Sequence, residues 1–439
     1  MRTLAWLICS SLLFAASAPA ATICVNETGS GSCESSIQDG IDAAVAGDTV
    51  AVRSGTYFEN VVIPGGKDGL TLRGSGQNTI LDPEDPLTGD GITVLADDVT
   101  IQNLRIRNGV SDGIFVDATA SGTIIRQVTI TGTNSDCINA DGPGTQVLNS
   151  KLLGCGSEAI EIDGADAVVT NATMENADSG CLDITGDRAV VRNSKCTVAE
   201  DDDCFTILGN DAEVVNNRAD TCNGQGFDID GNNWLVERNR SNATTDDGFE
   251  LDCSTCSSAR AANNSAENVA DDDDAFDFGG SGATIESNRA ADIADQGFTI
   301  SGDNNIVSRN QVKRSGGDSG EECFDISGNS NTVERNVANI CHNNGFEVSG
   351  DDNTLTSNRV TEARESGFEV SSGNGNVLER NAANNVNEFA YLVSAGVTNT
   401  DLIRDTAGGS NRADLCNEGA GTDNQSPQLQ SLLGAGCAF

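Results

Sequence analysis

The chain has 439 residues, with 25 Lys and Arg against 67 Asp and Glu, so its formal charge is −42. A charge of this size repels a phosphate backbone unless basic residues are concentrated on one face, and the sequence shows no such concentration, which excludes nucleic-acid binding. The aromatic content is only 4%, as in many disordered chains, but the apolar residues recur too regularly for a chain that stays unfolded.

The first 20 residues have the pattern of a secretory signal peptide. Arg2 is basic, residues 4–16 are apolar but too few to cross a bilayer, and residues 18–20 give a small-residue cleavage pattern. Cleavage would leave a charge of 24 − 67 = −43 and, without Cys9, 14 of the 15 cysteines, an even number that suits an oxidising compartment. We therefore expect a secreted, periplasmic or cell-surface protein with no transmembrane segment. A buried N-terminal helix is the less favoured alternative.

Residues 21–90 are predicted to form an N-terminal cap and the first coils of a repeat. The pattern predicts a short helix whose apolar face consists of Ile37, Ile41, Ala44 and Val45. Such a face would close the open end of a long core.

Residues 91–395 carry a repeat of about 22 residues. Eight of the twelve steps between its thirteen apolar anchors are 22 residues, and the others are 23, 24, 26 and 27. The second residue after each anchor is also apolar, which is the period-2 alternation of a β-strand. Gly, Ala or Cys precedes every anchor, so a neighbouring group must approach closely there. The anchors are Ile92, Ile114, Ile138, Ile160, Leu182, Phe205, Phe227, Phe249, Phe276, Phe298, Phe324, Phe346 and Phe368.

Two further short strands are predicted in each unit, on either side of an amide residue. A unit of this size cannot close its own core, but coils stacked about 4.8 Å apart would pair every strand with the next coil. Stacked Phe side chains would fill the interior, and stacked Asn side chains would hydrogen bond the turns, as in cross-β ladders. The predicted ladder consists of Asn103, Asn149, Asn171, Asn193, Asn217, Asn239, Asn288, Asn310, Asn336, Asn358 and Asn381.

This pattern resembles the right-handed parallel β-helix of the pectate-lyase-like superfamily, as do residues 36–50, 55–57, 60–63 and 70–76. The resemblance implies an all-β fold, a right-handed single-stranded parallel β-helix with an N-terminal helical cap, and a ligand groove along the strand of anchors. Residues 396–439 are predicted to form a C-terminal cap closed by a disulfide. The superfamily contains lyases, hydrolases, esterases and non-catalytic surface proteins, so the fold does not define the function.

The cysteines are predicted to pair locally, because coils are compact in sequence. The predicted pairs are Cys24 with Cys33, Cys137 with Cys155, Cys181 with Cys196, Cys204 with Cys222, Cys253 with Cys256, Cys323 with Cys341 and Cys416 with Cys437. Zinc at Cys253 and Cys256 is a less favoured alternative, since no second ligand pair lies nearby.

Three columns of acidic residues flank the anchors. The central column, directly after the anchor, contains Glu161, Asp183, Asp228, Glu250, Asp277, Asp325, Glu347 and Glu369. The leading column, two residues before it, contains Asp90, Asp112, Asp136, Glu158, Asp203, Asp247, Asp274 and Glu322. The trailing column, three residues after it, contains Asp117, Asp141, Asp163, Asp230 and Asp252. Like charges one coil apart repel by roughly 0.9 kcal/mol in water at about 4.8 Å. Stacking of these carboxylates therefore requires bound cations or raised pKa values, or else the fold tolerates the repulsion.

Three interpretations of the columns stay open: a solvated face that prevents aggregation, a Ca²⁺-binding face and a catalytic face. The columns are densest between Leu182 and Phe276. The candidate Ca²⁺ ligands there are Asp202, Asp203, Asp228, Asp230, Asp247, Glu250, Asp252, Asp274 and Asp277.

The leading hypothesis is a secreted, monomeric protein that binds, and could cleave, a polysaccharide or cell-surface glycan on this acidic face with Ca²⁺ as cofactor. The alternative is a non-catalytic surface or envelope protein. A hydrolase would use two carboxylates, and a lyase would use Ca²⁺ with a base, for which Lys313 and Arg314, in a predicted enlarged turn, are candidates. Asp202 and Asp203 are similar to the paired aspartates of polygalacturonases, but the companion motifs are missing. The one histidine, His342, is predicted to be a surface residue.

Overall fold

The computed structural model describes residues 19–83, 89–108, 111–254, 256–270, 273–316, 321–427, 429 and 431–433. The predicted signal peptide therefore falls almost entirely outside the described residues. The chain winds into a right-handed parallel β-solenoid of about 17 turns. Each full turn contributes one short strand to each of three parallel sheets, which we number in the order in which the chain visits them after an anchor.

Sheet 1 holds the anchors, and each of its strands pairs with the strand one coil away. Its strands are Val61–Ile63, Ile92–Val94, Ile114–Val116, Ile138–Ala140, Ile160–Ile162, Leu182–Ile184, Phe205–Leu208, Phe227–Asp230, Phe249–Asp252, Phe276–Phe278, Phe298–Ile300, Phe324–Ile326, Phe346–Val348, Phe368–Val370, Phe389–Val393, Ala413–Asn417 and Ser431–Leu433.

Sheet 2 follows a turn of about five residues. Its strands are Thr22–Val25, Thr49–Val52, Thr71–Arg73, Thr100–Gln102, Ile124–Arg126, Gln146–Leu148, Val168–Thr170, Val190–Arg192, Glu213–Val215, Leu235–Glu237, Arg260–Ala262, Thr284–Glu286, Ile306–Ser308, Thr332–Glu334, Thr354–Thr356, Val377–Glu379, Asp401–Ile403 and Asp423–Gln425.

Sheet 3 follows a tight two-residue turn in most coils. Its strands are Gly55–Tyr57, Thr79–Leu81, Arg105–Arg107, Thr129–Thr131, Lys151–Cys155, Thr173–Ala177, Lys195–Ala199, Arg218–Cys222, Arg240–Thr244, Ser265–Glu267, Arg289–Ala291, Gln311–Ser315, Val337–Cys341, Arg359–Val360, Ala382–Asn384 and Thr406–Gly408.

A single helix, Ile37–Ala43, is present among the described residues. The Ser36 hydroxyl caps it by accepting a hydrogen bond from Asp39 N at 3.0 Å. Ile37 and Ile41 are buried, whereas Val45 is 63% exposed. The prediction that Val45 belongs to the buried face is wrong, because the helix ends at Ala43 and Val45 lies in the following turn. That the helix acts as a cap on the core stays a prediction.

The interior of the solenoid is a stack of anchor side chains. From Phe205 to Phe368 and on to Tyr391, neighbouring rings lie 4.5–5.2 Å apart and nearly parallel. The close approach expected before each anchor comes from the main chain of the next coil. A Cβ added at Gly113 would lie 2.5 Å from the carbonyl oxygen of Cys137. This explains why small residues occupy the position.

The asparagine ladder differs in part from the prediction. It lies buried in the turn between sheets 2 and 3 and consists of Asn217, Asn239, Asn264, Asn288, Asn310, Asn336, Asn358 and Asn381. The four earlier predicted members occupy the preceding position of the turn instead, with φ of 51–57°: Asn103, Asn149, Asn171 and Asn193. That left-handed conformation tolerates Asn better than most residues. Asn264 escaped prediction because the insertion before it shifts it to 15 residues after its anchor.

Within the described residues, six disulfides join six of the predicted cysteine pairs, including Cys253 with Cys256. The zinc alternative is thereby removed. Four of the bridges tie the residue before an anchor to the strand of sheet 3 in the same coil, and so brace the turn that leads into sheet 1. The predicted pair of Cys416 with Cys437 falls partly outside the described residues.

Candidate functional site

The central column stands in register on the outer face of sheet 1. Asp228 pairs with Glu250, and Glu250 with Asp277, in three consecutive coils. The same arrangement recurs at Asp325, Glu347 and Glu369 in three later coils, and Glu161 with Asp183 forms a shorter group. Thr206 and Thr299 separate the three groups.

No ion pair among the described residues involves the central column. Arginine and lysine side chains pair with acids on sheets 2 and 3 or in turns, as Arg335 does with Glu334 at 3.2 Å and Arg240 with Glu267 at 2.9 Å. The acidic residues of sheet 1 thus lack the counter-charges that the rest of the surface has.

Burial without counter-charge raises the pKa values of several carboxylates in the central column. Burial, followed by repulsion from Glu250, raises the pKa of Asp228 to about 7. The pKa of Asp183 rises to about 6 and that of Asp325 to about 6, again chiefly by burial and then by neighbouring carboxylates. These carboxylates are therefore partly protonated near neutral pH unless cations neutralise them.

The leading column holds neighbouring coils together by hydrogen bonds. Its side chains lie in the turn that leads into sheet 1, and several accept a hydrogen bond from the main chain of the next coil. Asp203 Oδ1 accepts from Gln225 N at 2.6 Å, and Asp247 Oδ1 accepts from Asp274 N at 2.7 Å. Asp274 repeats the contact with Gln296 N at 3.0 Å. Burial nevertheless raises the pKa of Asp274 to about 8.

The trailing column lies at the end of the sheet 1 strand or directly after it, where the chain turns towards sheet 2. Asp230 and Asp252 are in register across one coil. Asp252 Oδ1 also accepts a hydrogen bond from Gly279 N at 3.0 Å. Asp202, the remaining predicted ligand, is exposed in the leading turn. Eight of the nine predicted metal ligands thus spread over three columns and Asp202 lies outside them, and the role of all nine as ligands stays a prediction.

Among the described residues, one group of three acids brings its oxygens within 4.8 Å of one another: Asp136, Glu158 and Glu161. None of the nine predicted ligands belongs to it. Asn139 Nδ2 donates to Asp136 Oδ2 at 3.0 Å and to Glu161 Oε2 at 2.6 Å. These three residues were not among the predicted ligands because the local density of acidic residues is lower there, although all three belong to the predicted columns.

Several leading side chains reach diagonally to the central residue one coil further on. Gln225 Nε2 donates a hydrogen bond to Glu250 Oε2, and Asn344 Nδ2 donates one to Glu369 Oε2 at 2.9 Å. The corresponding pair at Glu322 consists of two acids, because the Glu322 carboxyl group is hydrogen bonded to Glu347. Glu322 Oε1 also accepts a hydrogen bond from Asn343 Nδ2 at 2.7 Å. Glu322 is only 6% exposed. Burial and the contact with Glu347 hold the pKa of Glu322 well above its usual range.

The predicted basic candidates lie away from this face. Lys313 and Arg314 belong to the sheet 3 strand Gln311–Ser315, so the prediction of an enlarged turn at these two residues is wrong. Arg314 pairs with Asp292. His342 is half-buried and, with Arg364, lines a cavity of about 450 Å³ at the turn from sheet 3 to sheet 1.

Fold and site together define a right-handed parallel β-solenoid with an acidic column on one sheet. The sequence matches the right-handed beta helix region over residues 136–273 and 268–407, and the chain belongs to this family. The predicted right-handed parallel β-helix is thereby confirmed. No protein with a curated description matches the sequence significantly.

Solved structures of similar fold include pectin methylesterase PemA from Erwinia chrysanthemi, 15% identical, covering 48% of this chain and 81% of that chain with a TM-score of 0.38. The A-module of mannuronan C-5 epimerase AlgE4 from Azotobacter vinelandii is 13% identical, covering 91% and 95%, with a TM-score of 0.37. An alginate lyase from Paenibacillus sp. str. FPU-7 is 14% identical, covering 86% and 99%, with a TM-score of 0.31. In the described part of this chain no helix has the length and apolarity to span a bilayer.

Proposed function

We propose that this protein binds an extended polysaccharide along sheet 1, with the central column as the recognition surface. The observation that carries the proposal is the set of in-register carboxylate groups on sheet 1, with one carboxylate per coil within each group and no ion pairs in the described residues. A row that repeats along the solenoid axis suits a ligand that also repeats along a line, which a polymer does and a compact metabolite does not.

The chemistry of the column restricts the ligand. Ionised carboxylates only accept hydrogen bonds, so the ligand must bring hydroxyl donors or cations. A neutral polysaccharide supplies hydroxyl groups directly. A polyuronate repels the column and would be held through bridging Ca²⁺.

Calcium suits the donor set, because Ca²⁺ prefers carboxylate oxygens. Asp183 Oδ1 and Asp277 Oδ1 are buried and accept no hydrogen bond from the described residues. Asp136, Glu158 and Glu161 would hold one ion, and the column from Asp228 to Asp277 would hold others with the adjoining predicted ligands. Bound Ca²⁺ would neutralise the column and, with a uronate ligand, bridge like charges.

Cleavage of the bound glycan is a second candidate, favoured by Glu322. An acid that stays protonated at neutral pH is what protonation of a glycosidic oxygen requires. Lyase chemistry has less support, because Lys313 and Arg314 lie on sheet 3. The alternative is a non-catalytic surface or envelope protein, and the six disulfides suit an oxidising compartment in either case.

The test measures binding and turnover on one panel of neutral and uronate polysaccharides, each with Ca²⁺ and with EDTA. We expect calorimetric binding of at least one polymer, with uronate binding lost in EDTA and neutral binding retained. New reducing ends would identify hydrolysis, and ultraviolet absorbance of unsaturated products would identify a lyase. Binding without turnover would select the non-catalytic alternative, and no binding under any condition would refute the proposal.

A further inference from the structure

The asparagine ladder ends in an acid. Asp405 occupies the rung after Asn381 and is 1% exposed. Its Oδ1 accepts hydrogen bonds from Asn381 N at 2.7 Å and from Asn381 Nδ2 at 3.1 Å. In the same way, Asn381 Oδ1 accepts hydrogen bonds from Asn358 N at 2.9 Å and from Asn358 Nδ2 at 3.1 Å. Asp405 N in turn donates to Ser426 Oγ at 2.8 Å. Asp405 therefore takes the place of an asparagine in the stack.

The second oxygen of Asp405 distinguishes it from the asparagines. Each asparagine of the ladder donates from Nδ2 to the carbonyl oxygen three residues before the equivalent position of the preceding coil. Asn381 Nδ2, for example, donates to Leu355 O at 2.9 Å. The same register would bring the carbonyl oxygen of Leu378 opposite Asp405 Oδ2, which also accepts a hydrogen bond from Ser426 Oγ at 3.4 Å. A carboxylic acid can donate a hydrogen bond there, but an ionised carboxylate cannot.

From this register we infer that Asp405 is a proton-dependent lock on the C-terminal coils. With the proton on Oδ2, the acid completes the ladder as an asparagine would. Without it, an ionised oxygen faces the Leu378 carbonyl oxygen in a buried turn, which is unfavourable, and the hydrogen bond that Ser426 Oγ donates to Oδ2 at 3.4 Å is too long to offset this fully. The strands after residue 400 then loosen. Burial raises the pKa of Asp405 to about 7, so the change falls near neutral pH.

Charged and titratable groups near Asp405 lie on sheets 1 and 2 and at the turns between sheets 2 and 3. Tyr391 on sheet 1 donates its hydroxyl to Thr406 O at 3.1 Å, and its own pKa is raised well above the usual value by burial and then by Asp405. Those at the neighbouring turns and on the strands of sheet 2 are Arg380, Arg404, Glu379, Asp401 and Asp423. Arg380 pairs with Glu379, and Arg404 is exposed.

A route for the proton exists beside the residue. A cavity of about 170 Å³ is lined by Arg404, Asp405, Thr406 and Pro427. Since the folded-state pKa is raised, the stabilisation is complete below the unfolded-state pKa of about 4 and is lost as the pH rises through about 7. The lock is therefore closed in mildly acidic medium and open in alkaline medium.

Hydrogen–deuterium exchange between pH 5.5 and 8.5, corrected for intrinsic rates, tests the lock. In the unaltered protein we expect protection of Asp401–Ile403 and Thr406–Gly408 to fall about tenfold or more above pH 7, relative to Arg218–Cys222. Asp405→Asn, which supplies a permanent donor, should abolish this local fall. Asn358→Asp places an acid in the middle of the ladder and should create the same dependence around its own coil. An unchanged fall in Asp405→Asn, or no new dependence in Asn358→Asp, would overturn the inference.

Discussion

Glu322 stands in the same relation to Glu347 as Asn344 does to Glu369 one coil further along. In the second pair, the Asn344 amide donates to the carboxylate at 2.9 Å without any proton being added. In the first pair, two carboxyl groups share a hydrogen bond, which requires that one of them be protonated. The solenoid thus contains a proton-dependent contact and its proton-independent counterpart in adjacent coils.

Glu322→Gln should flatten the pH dependence of stability. The pKa of Glu322 is raised by burial and by Glu347, so this contact stabilises the fold below about pH 4.3, its unfolded-state pKa, and the stabilisation is lost as the pH rises towards the folded-state value. We expect the variant to melt several degrees higher than the unaltered protein at pH 8 in EDTA, and within a degree or two of it at pH 5.

Asn344→Asp is the matched control, because it converts the neighbouring pair into two acids. It should melt lower at pH 8 than at pH 5 by more than the unaltered protein does. Equal pH slopes in all three proteins would show that the diagonal contacts do not govern the titration of this face.

Calcium should raise the melting temperature. A ligand that binds the native state alone stabilises it by about 2.7 kcal/mol at 100 times its Kd, and here it also relieves repulsion between coils. We expect a smaller gain in the variant with Asp228→Asn, Asp230→Asn, Glu250→Gln and Asp252→Asn. A second variant, Asp136→Asn with Glu161→Gln, measures the contribution of the other acidic group separately. Identical melting curves in EDTA and in millimolar Ca²⁺ would leave the solvated-face interpretation.

Phe298→Ala should destabilise the middle of the solenoid. Phe298 is fully buried, with its ring 4.7 Å from that of Phe276 and 5.0 Å from that of Phe324. Truncation of a buried Phe costs about 3–5 kcal/mol. Urea denaturation followed by circular dichroism, which should report strand with little helix, gives the change. A loss below about 1 kcal/mol, the typical effect of an ordinary substitution, would contradict the role of the stack.

The fold was predictable because its signal is repeated. Thirteen anchors at nearly constant spacing define sheet 1, and Phe227 or Phe249 alone would have indicated little. The tasks of the acidic columns were not predictable, because Asp203 and Asp228 look alike in sequence. Whether a carboxylate accepts a main-chain N–H or faces solvent depends on which side of the strand the turn places it, and spacing does not encode that.

The asparagine ladder is a second feature that the spacing of residues could not predict in full. Asn193 and Asn217 occupy neighbouring positions of equivalent turns, one left-handed and one buried. Both positions favour Asn, for different physical reasons, so composition could not separate them. The register of the hydrogen bonds between coils separates the two positions.

The face that binds the ligand can be identified by comparing a variant altered on sheet 1 with a variant altered at the turn between sheets 2 and 3. Affinity for the bound polysaccharide should fall at least tenfold when Asp228, Asp230, Glu250 and Asp252 become amides, because the acceptors of the central and trailing columns lose their charge. Arg309→Ala with Arg335→Ala alters exposed ion pairs at the turn between sheets 2 and 3, which contribute little to stability, and should leave affinity unchanged. Isothermal titration, after circular dichroism has verified both folds, gives the comparison. Loss of binding in the arginine variant alone would place the ligand on the opposite side of the solenoid.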